Sequence, residues 1–98
     1  VPTMPHYVSK TGSVKNAYIN QGCVIEGHVE SSVLFTNVKI GENAEISEAV
    51  LMPNVEVGEG AKVYRAIVAD GVKIDAGCVV GDPKSEEIAL ISKRVRSE

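Results

Sequence analysis

The residues with the clearest potential for chemistry are three cations close to the end of the chain. Lys93, Arg94 and Arg96 follow a short apolar segment that ends at Ile91. Phosphate groups require clustered cations in a fixed geometry, and an arginine guanidinium can bind two phosphate oxygens at once. A basic chain end without any ligand has the same composition. The residue types therefore leave a phosphate site and a solvated tail as equal interpretations.

A histidine beside a predicted bend is the second candidate. His28 lies between Gly27 and Val29, where an imidazole could act as the general base of an acyl transfer. No long loop interrupts the neighbouring segments to build a substrate pocket, however, and single histidines are common on protein surfaces. A free-standing hexapeptide-repeat acyltransferase is therefore the alternative function, with His28 as its base.

The other residues carry no signature of a catalytic centre. The sequence contains no phosphate-binding glycine loop, nucleophile elbow or paired-histidine metal motif. Cys23 and Cys78 are far apart and lack metal-ligand spacing, which indicates reduced thiols in the core. We predict no catalytic residue, no metal site and no cofactor within these residues.

The charge balance argues against two classes of partner. Ten lysines and arginines against thirteen aspartates and glutamates give a net charge of −3, whereas proteins that bind nucleic acid or anionic membranes need a basic surface. No apolar run approaches the roughly 18 residues of a membrane span, and no segment has the pattern of a signal peptide. We expect a cytoplasmic protein that binds neither nucleic acid nor membrane.

A regular repeat organises the middle of the chain, with similar segments that begin at Ile40, Val57 and Ile74. The aliphatic positions within one repeat follow at steps of six, six and five residues, as in Ile40, Ile46, Met52 and Val57. Glycine and asparagine adopt left-handed backbone angles at low cost and mark bends. They recur at the repeat spacing as Asn37, Asn54 and Gly71 and as Asn43, Gly60 and Gly77. Short strands between regular bends predict an all-β solenoid of about four triangular coils.

Alternation within each segment assigns side chains to the inside or the outside of the coils. One outer column, Lys39, Glu56 and Lys73, alternates in charge, as stacked neighbours should. A second outer column is apolar and consists of Leu34, Leu51 and Val68. Exposed apolar stripes usually mark contacts, so these three residues are predicted to form an interface with another domain or subunit. The same assignment places inside Val33, Phe35, Val50, Met52, Ile67 and Ala69.

Both ends of the chain depart from the repeat. Residues 1–13 contain prolines but no aliphatic register, which indicates an extended linker, and the coils are predicted over residues 14–81. The first coil is irregular, because Ile25 lies fifteen rather than seventeen residues before Ile40. Residues 82–98 are assigned to a capping strand at 88–91 and a basic tail.

Residues 2 to 94 resemble the C-terminal domain of bacterial glucose-1-phosphate adenylyltransferases. The segments that carry the resemblance are Gly12 to Ile19, Gly22-Cys-Val-Ile-Glu-Gly27, Ser32-Val-Leu-Phe35, Val38 to Gly41 and Val50 to Val55. The resemblance implies a left-handed parallel β-helix built from hexapeptide repeats. It also implies a separate N-terminal catalytic domain, which would use Mg²⁺ and ATP to convert glucose 1-phosphate to ADP-glucose and pyrophosphate in glycogen synthesis.

The same resemblance implies partners and a regulatory site. In the family this domain contributes to tetramer contacts, docks on the catalytic domain, and takes part in control by sugar phosphates, phosphate or AMP. Lys93 matches a basic effector ligand after the last strand, so Lys93 and its neighbour Arg94 are expected to bind the effector phosphate. Asp70 stands where several regulated members carry a basic residue, which indicates a weak response or a poorly active regulatory paralogue.

Overall fold

The regular secondary structure of the described residues consists of short strands. The structure is a computed structural model that describes residues 7–8 and 12–96, and these residues form fifteen strands and no helix. In chain order the strands are β1 (Tyr7–Val8), β2 (Ser13–Lys15), β3 (Tyr18–Ile19), β4 (Val24–Ile25), β5 (His28–Glu30), β6 (Val33–Leu34), β7 (Lys39–Ile40), β8 (Glu45–Ser47), β9 (Val50–Leu51), β10 (Glu56–Val57), β11 (Lys62–Tyr64), β12 (Ala66–Val68), β13 (Lys73–Ile74), β14 (Val79–Val80) and β15 (Ala89–Ile91). The predicted all-β class is confirmed.

The strands stack into three parallel sheets of five strands each. Sheet 1 has the order β1-β4-β7-β10-β13, sheet 2 the order β2-β5-β8-β11-β14, and sheet 3 the order β3-β6-β9-β12-β15. Successive strands belong to successive sheets, so the chain winds as a triangular solenoid of about 4 turns. Its dimensions are 39 × 23 × 22 Å.

Strand pairing follows the predicted repeat. Lys39, Glu56 and Lys73 are Cα partners at the repeat spacing. Val24 pairs with Lys39 across a shorter interval, which confirms the irregular first coil. The missing two residues come from the turn between β4 and β5, where a β-carbon on Gly27 would collide with the carbonyl oxygen of Ala44. Only glycine fits this shortened turn.

The solenoid begins before the predicted boundary at residue 14. The backbone of Tyr7–Val8 pairs with Val24–Ile25, and Ser13 pairs with His28. Strands β1 and β2 therefore start inside the segment assigned to a linker, and that boundary is corrected. A strand of two residues carries too little alternation to be recognised from sequence. The parts of the predicted linker at 1–6 and 9–11 lie outside the described residues.

At the C-terminal end the chain leaves the coil and then returns to it. After β14 the chain turns away, and β15 then pairs with β12, so that Ile67 and Leu90 are partners across a longer interval than the repeat. The predicted capping strand at 88–91 forms as Ala89–Ile91. Beyond it, Val95 makes an isolated parallel bridge to Ile74. Val95, which lies among the basic residues Lys93, Arg94 and Arg96 of the tail, thereby adds a further rung to sheet 1.

Small aliphatic side chains fill the interior. Among the described residues, the core cluster contains no aromatic side chain, since each narrow coil has room only for valine, isoleucine, leucine, alanine or cysteine. Cys23 belongs to this core, and its Sγ donates a hydrogen bond of 3.0 Å to the carbonyl oxygen of Phe35. Burial raises the pKa of the Cys23 thiol, so this thiol stays protonated and packs as a small hydrophobic group.

Left-handed residues mark all three corners of the triangle. The two predicted columns are confirmed, because Asn37, Asn54, Gly71, Asn43, Gly60 and Gly77 all have positive φ angles. A third column, between sheets 2 and 3, consists of Asn16, Ser31, Glu48, Arg65 and Gly81. The sequence did not reveal it, because serine, glutamate and arginine rarely adopt these angles. Arg65 Nη1 donates to Glu48 Oε2 at 3.0 Å, a contact that links two coils at this strained corner.

The predicted assignment of inside and outside is wrong for sheet 3. Leu34, Leu51 and Val68, expected as an exposed interface column, are each 0% exposed and belong to the core. The corner before sheet 3 is one residue shorter than predicted, so core positions follow Ile40 at steps of six, five and six residues, at Ile46, Leu51 and Val57. A shift of one residue turns every side chain of a strand to the opposite face. These three residues offer no surface to a partner.

Candidate functional site

The outer surface of sheet 3 carries a continuous apolar column. It contains one residue from each strand, paired in register: Tyr18, Val33, Val50, Ile67 and Leu90. Tyr18 is 80% exposed and Leu90 75% exposed, whereas Val33, Val50 and Ile67 are half-buried. Phe35 and Met52 lie beside this column, half-buried and outside the core cluster. We call these residues together the apolar face.

The apolar face follows the long axis of the solenoid. Neighbouring strands are about 4.8 Å apart, so five strands in register give a stripe roughly 19 Å long. Contiguous apolar surfaces of this kind usually mark contacts with other proteins. The apolar face is therefore suited to bind another apolar protein surface.

The outer columns of the other two sheets contain charged residues. On sheet 1, Lys39, Glu56 and Lys73 are paired in register and alternate in charge, as predicted. On sheet 2, Lys62 and Glu45 form an ion pair of 3.6 Å between neighbouring strands. On sheet 2, Lys62 and Glu45 are thus charged partners within the domain itself. The apolar column on sheet 3 contains no charged side chain, so its members form no ion pair with one another.

The predicted phosphate ligands lie at the C-terminal end of sheet 1. Arg94 is already engaged there, because its Nε and Nη2 atoms lie 3.0 and 2.9 Å from Oδ1 of Asp75. The bridge between Ile74 and Val95 places Arg94 beside Lys73 in parallel register. The side chain of Lys93 is exposed. Arg94 thus lies between a carboxylate and further cations, and its role as a phosphate ligand stays a prediction.

Asp70 lies at the corner between sheets 3 and 1. It is exposed and immediately precedes Gly71, whose φ of 73° forms the bend. Oδ1 of Asp70 accepts a long hydrogen bond of 3.5 Å from Nδ2 of Asn54 on the preceding coil. The acidic side chain therefore has an amide neighbour at this corner, and the expected weak effector response stays a prediction.

His28 lies on the outer surface of sheet 2, in register with Ser13 and Glu45. Its Nδ1 atom is 2.7 Å from Oγ of Ser13, which is the geometry of a hydroxyl and a neighbouring base. The concavity around this pair has a volume of about 140 Å³. Ligand pockets usually begin at roughly 300 Å³. The pair is therefore an exposed surface contact with little shelter for a substrate.

Two kinds of feature are absent from the part of the chain that the structure describes. It contains no helix of the length and apolarity needed to cross a membrane. Among the same residues, no group of three or more histidine, cysteine, aspartate or glutamate side chains could hold a metal ion.

Comparison with known protein families identifies the solenoid. The family described as "GlmU-like, C-terminal hexapeptide" matches residues 3–94, which is nearly the whole chain. The chain belongs to this hexapeptide family.

The hexapeptide domain is also similar to segments of longer proteins. It is 48% identical over 42 residues to a glucose-1-phosphate adenylyltransferase of Fusobacterium nucleatum, and 50% identical over 46 residues to one of Acetivibrio thermocellus. It is 52% identical over 42 residues to the glycogen biosynthesis protein GlgD of Geobacillus stearothermophilus. These matches cover 43 to 46% of the hexapeptide domain and only 11 to 12% of each relative.

The sequence contained one signal that could have located the apolar face of the hexapeptide domain. Ser32, Ala49 and Ala66 recur at the repeat spacing and are almost completely buried, at 3%, 2% and 0% exposure. Only small side chains fit beside the short corner that precedes sheet 3. Oγ of Ser32 is satisfied there, since it donates to the carbonyl oxygen of Glu30 at 2.7 Å and accepts from the Ala49 N–H at 3.1 Å. This buried small column fixes the next residue, such as Val33, on the outside.

Proposed function

We propose that this hexapeptide domain is the C-terminal domain of a glucose-1-phosphate adenylyltransferase, or of its regulatory paralogue in glycogen synthesis. The supporting observation is identity of 48 to 52% with two such enzymes and with a glycogen biosynthesis protein over 42 to 46 residues. The reaction joins ATP and glucose 1-phosphate to give ADP-glucose and pyrophosphate. The domain itself supplies no catalytic group, and Mg²⁺ and ATP belong to the N-terminal catalytic domain.

The experiment that tests this proposal compares the intact protein with the 98 residues alone. With Mg²⁺, ATP and glucose 1-phosphate, the intact catalytic form should release pyrophosphate and the isolated domain should not. If the protein is the regulatory paralogue, it should instead raise the pyrophosphate release of a co-expressed catalytic subunit. An intact protein that neither turns over these substrates nor assembles with such a subunit contradicts the proposal, as does turnover by the isolated domain.

Within that protein, the apolar face is proposed to pack against the N-terminal catalytic domain of the same chain and to support the oligomer. The support is chemical, because Leu90 and Tyr18 expose most of their apolar surface and no charge interrupts the column between them. A charged side chain at the centre of such a contact should leave the solenoid folded and weaken the contact.

The matched test replaces one apolar surface residue on each of two sheets. In the intact protein, Ile67→Glu should weaken assembly at least about tenfold, because it places an unpaired charge in the contact. Val79→Glu is the control: Val79 is 63% exposed on sheet 2 and is paired with Lys62, which accommodates an acid. Sedimentation velocity and protease sensitivity between the domains report the outcome. Unchanged assembly of Ile67→Glu rules out the contact.

We further propose that Lys93 and Arg94 bind the phosphate group of an effector, which is a sugar phosphate, inorganic phosphate or AMP. The support is a cluster of cations at the end of sheet 1. Arg94 lies beside Lys73 in parallel register, and Lys93 is the residue before Arg94 in the chain. Lys93→Ala should raise the effector concentration for a half-maximal response of the intact enzyme about tenfold, through loss of a charge-assisted hydrogen bond. Lys84→Ala, an exposed cation on the turn after β14, is the control. An unchanged response of Lys93→Ala rejects this site.

A free-standing acyltransferase is the second candidate, and the hydrogen bond of 2.7 Å between Ser13 and His28 is the observation that favours it. This candidate requires the 98-residue chain to bind a CoA thioester and to lose transfer activity in His28→Ala. Calorimetric titration with acetyl-CoA decides between the candidates, because the adenylyltransferase proposal predicts no binding to this domain.

A further inference from the structure

The basic tail is held on the solenoid by a contact that uses one of the proposed phosphate ligands. The backbone of Val95 forms the rung: its N–H donates to the carbonyl oxygen of Lys73 at 3.0 Å, and its carbonyl oxygen accepts from the Asp75 N–H at 2.9 Å. Val95 packs on the core, so the neighbouring residues Arg94 and Arg96 point outward by strand alternation. Residues 94–96 are therefore held in register with β13.

Asp75 and Arg94 make the side-chain contact of this rung. Two guanidinium nitrogens of Arg94, Nε and Nη2, lie 3.0 and 2.9 Å from the same oxygen, Oδ1 of Asp75. The Asp75 side chain is only 18% exposed, whereas that of Arg94 is 47% exposed. The carboxylate is thus a fixed anion that occupies the Nε and Nη2 edge of the guanidinium, which is one of the edges that a phosphate could bind.

We propose that Asp75 is a built-in competitor that sets the phosphate affinity of the basic tail. This inference rests on the proposed effector site. A phosphate group that binds Lys93 and the Nε and Nη2 edge of Arg94 must replace the Asp75 carboxylate there. The fraction of molecules in which Arg94 is released then scales the apparent affinity. A phosphate dianion carries more negative charge than one carboxylate does. Lys73 and Arg94, the cations near Asp75, therefore favour binding of the dianion over the contact with the carboxylate.

The test measures the binding of inorganic phosphate to the intact protein by calorimetry, at fixed ionic strength in chloride buffer. Asp75→Asn should lower the dissociation constant about threefold, the size expected when a partly exposed ion pair no longer competes. Glu56→Gln is the matched control, since it removes a carboxylate that is paired in register with Lys73 and lies two rungs away from Arg94. General electrostatics would lower the dissociation constant equally in both variants, and that result overturns the proposal.

A double-variant cycle distinguishes competition at Arg94 from a structural effect of the Asp75→Asn substitution. In an Arg94→Gln background, Asp75→Asn should leave the dissociation constant unchanged, because no competition at Arg94 remains. An equal gain in affinity with and without Arg94 refutes the competition. If Lys93→Ala loses phosphate while Asp75→Asn changes nothing, the effector site stands and the competitor role is wrong. If neither wild type nor Asp75→Asn binds phosphate, both are wrong, whereas pyrophosphate release still tests the adenylyltransferase assignment separately.

Discussion

Sheets 2 and 3 have the same number of strands and the same parallel pairing, but their outer surfaces differ in chemistry. On sheet 2 the outer column runs from Ser13 through His28, Glu45 and Lys62 to Val79, with an ion pair between Glu45 and Lys62. The equivalent column on sheet 3 is apolar from Tyr18 to Leu90. One scaffold thus presents a mostly polar outer column on one side and an apolar outer column on another.

The comparison teaches that strand pairing in this solenoid does not depend on what the outer columns carry. The backbone ladder and the inward side chains hold each coil, and the inward residues are small and aliphatic in all three sheets. The outer columns are therefore open to serve contacts with water or with another protein. Variants that separate inner from outer residues test this division directly.

The largest expected effect comes from a pair of adjacent residues in β9. Leu51→Ala should lower the free energy of unfolding by about 2–5 kcal/mol, because it leaves a cavity at a position with 0% exposure. Val50→Ala, one residue earlier on the apolar face, should cost less than about 1 kcal/mol. Urea unfolding of both variants measures the difference. Equal losses would mean that the inner and outer assignments of sheet 3 are not distinct.

A smaller effect is expected at the corners that separate the sheets. Gly81 directly follows β14, at the position that Arg65 holds after β11, with a φ of 76°, and a β-carbon there would collide with the carbonyl oxygen of Tyr64. Gly81→Ala should cost about 2–3 kcal/mol of unfolding free energy, through the left-handed backbone and the collision together.

Gly60, at the corner between sheets 1 and 2, is the control for Gly81. Its φ is 70°, but a β-carbon would meet no atom within 4 Å. Gly60→Ala should cost only the backbone term of about 1 kcal/mol. Thermal unfolding of the two variants compares the two positions, and a larger loss for Gly60→Ala would show that crowding at Gly81 is unimportant.

The smallest effect is expected from the charged surface of sheet 2. Lys62→Gln removes the 3.6 Å ion pair between Lys62 and Glu45. The side chain of Lys62 is 44% exposed and that of Glu45 is 49% exposed. Exposed pairs contribute little, so the free energy of unfolding should change by less than about 0.5 kcal/mol and assembly should not change. A loss of assembly in Lys62→Gln would contradict the contrast between the two sheets and place the contact surface on sheet 2.

Much of this architecture was predictable because the repeat is written in residue types that have few structural options. Asn43, Gly60 and Gly77 recur at one spacing, and left-handed bends follow from that column. The corner formed by Ser31, Glu48 and Arg65 was not predictable, since those residue types adopt left-handed angles only when the neighbouring strands enforce them. The candidate site was predicted only in part. An apolar stripe on the third sheet was expected, but the residues that form it lie one position earlier in the chain than predicted.

The sequence by itself determined the solenoid, its repeat length and two of its three corners, because glycine, asparagine and alternating aliphatic residues restrict the backbone locally. Tertiary structure decided which residues of sheet 3 point inward, although the small residues Ser32, Ala49 and Ala66 carried one signal of it. In Val50-Leu51-Met52 every position is apolar, so alternation carries no information about direction. The direction is set by the length of the preceding corner, where Ala49 and Ala66 must fit against the neighbouring coil. The contact between Asp75 and Arg94 was likewise decided by the bridge of Val95 to Ile74, which joins residues that no local pattern connects.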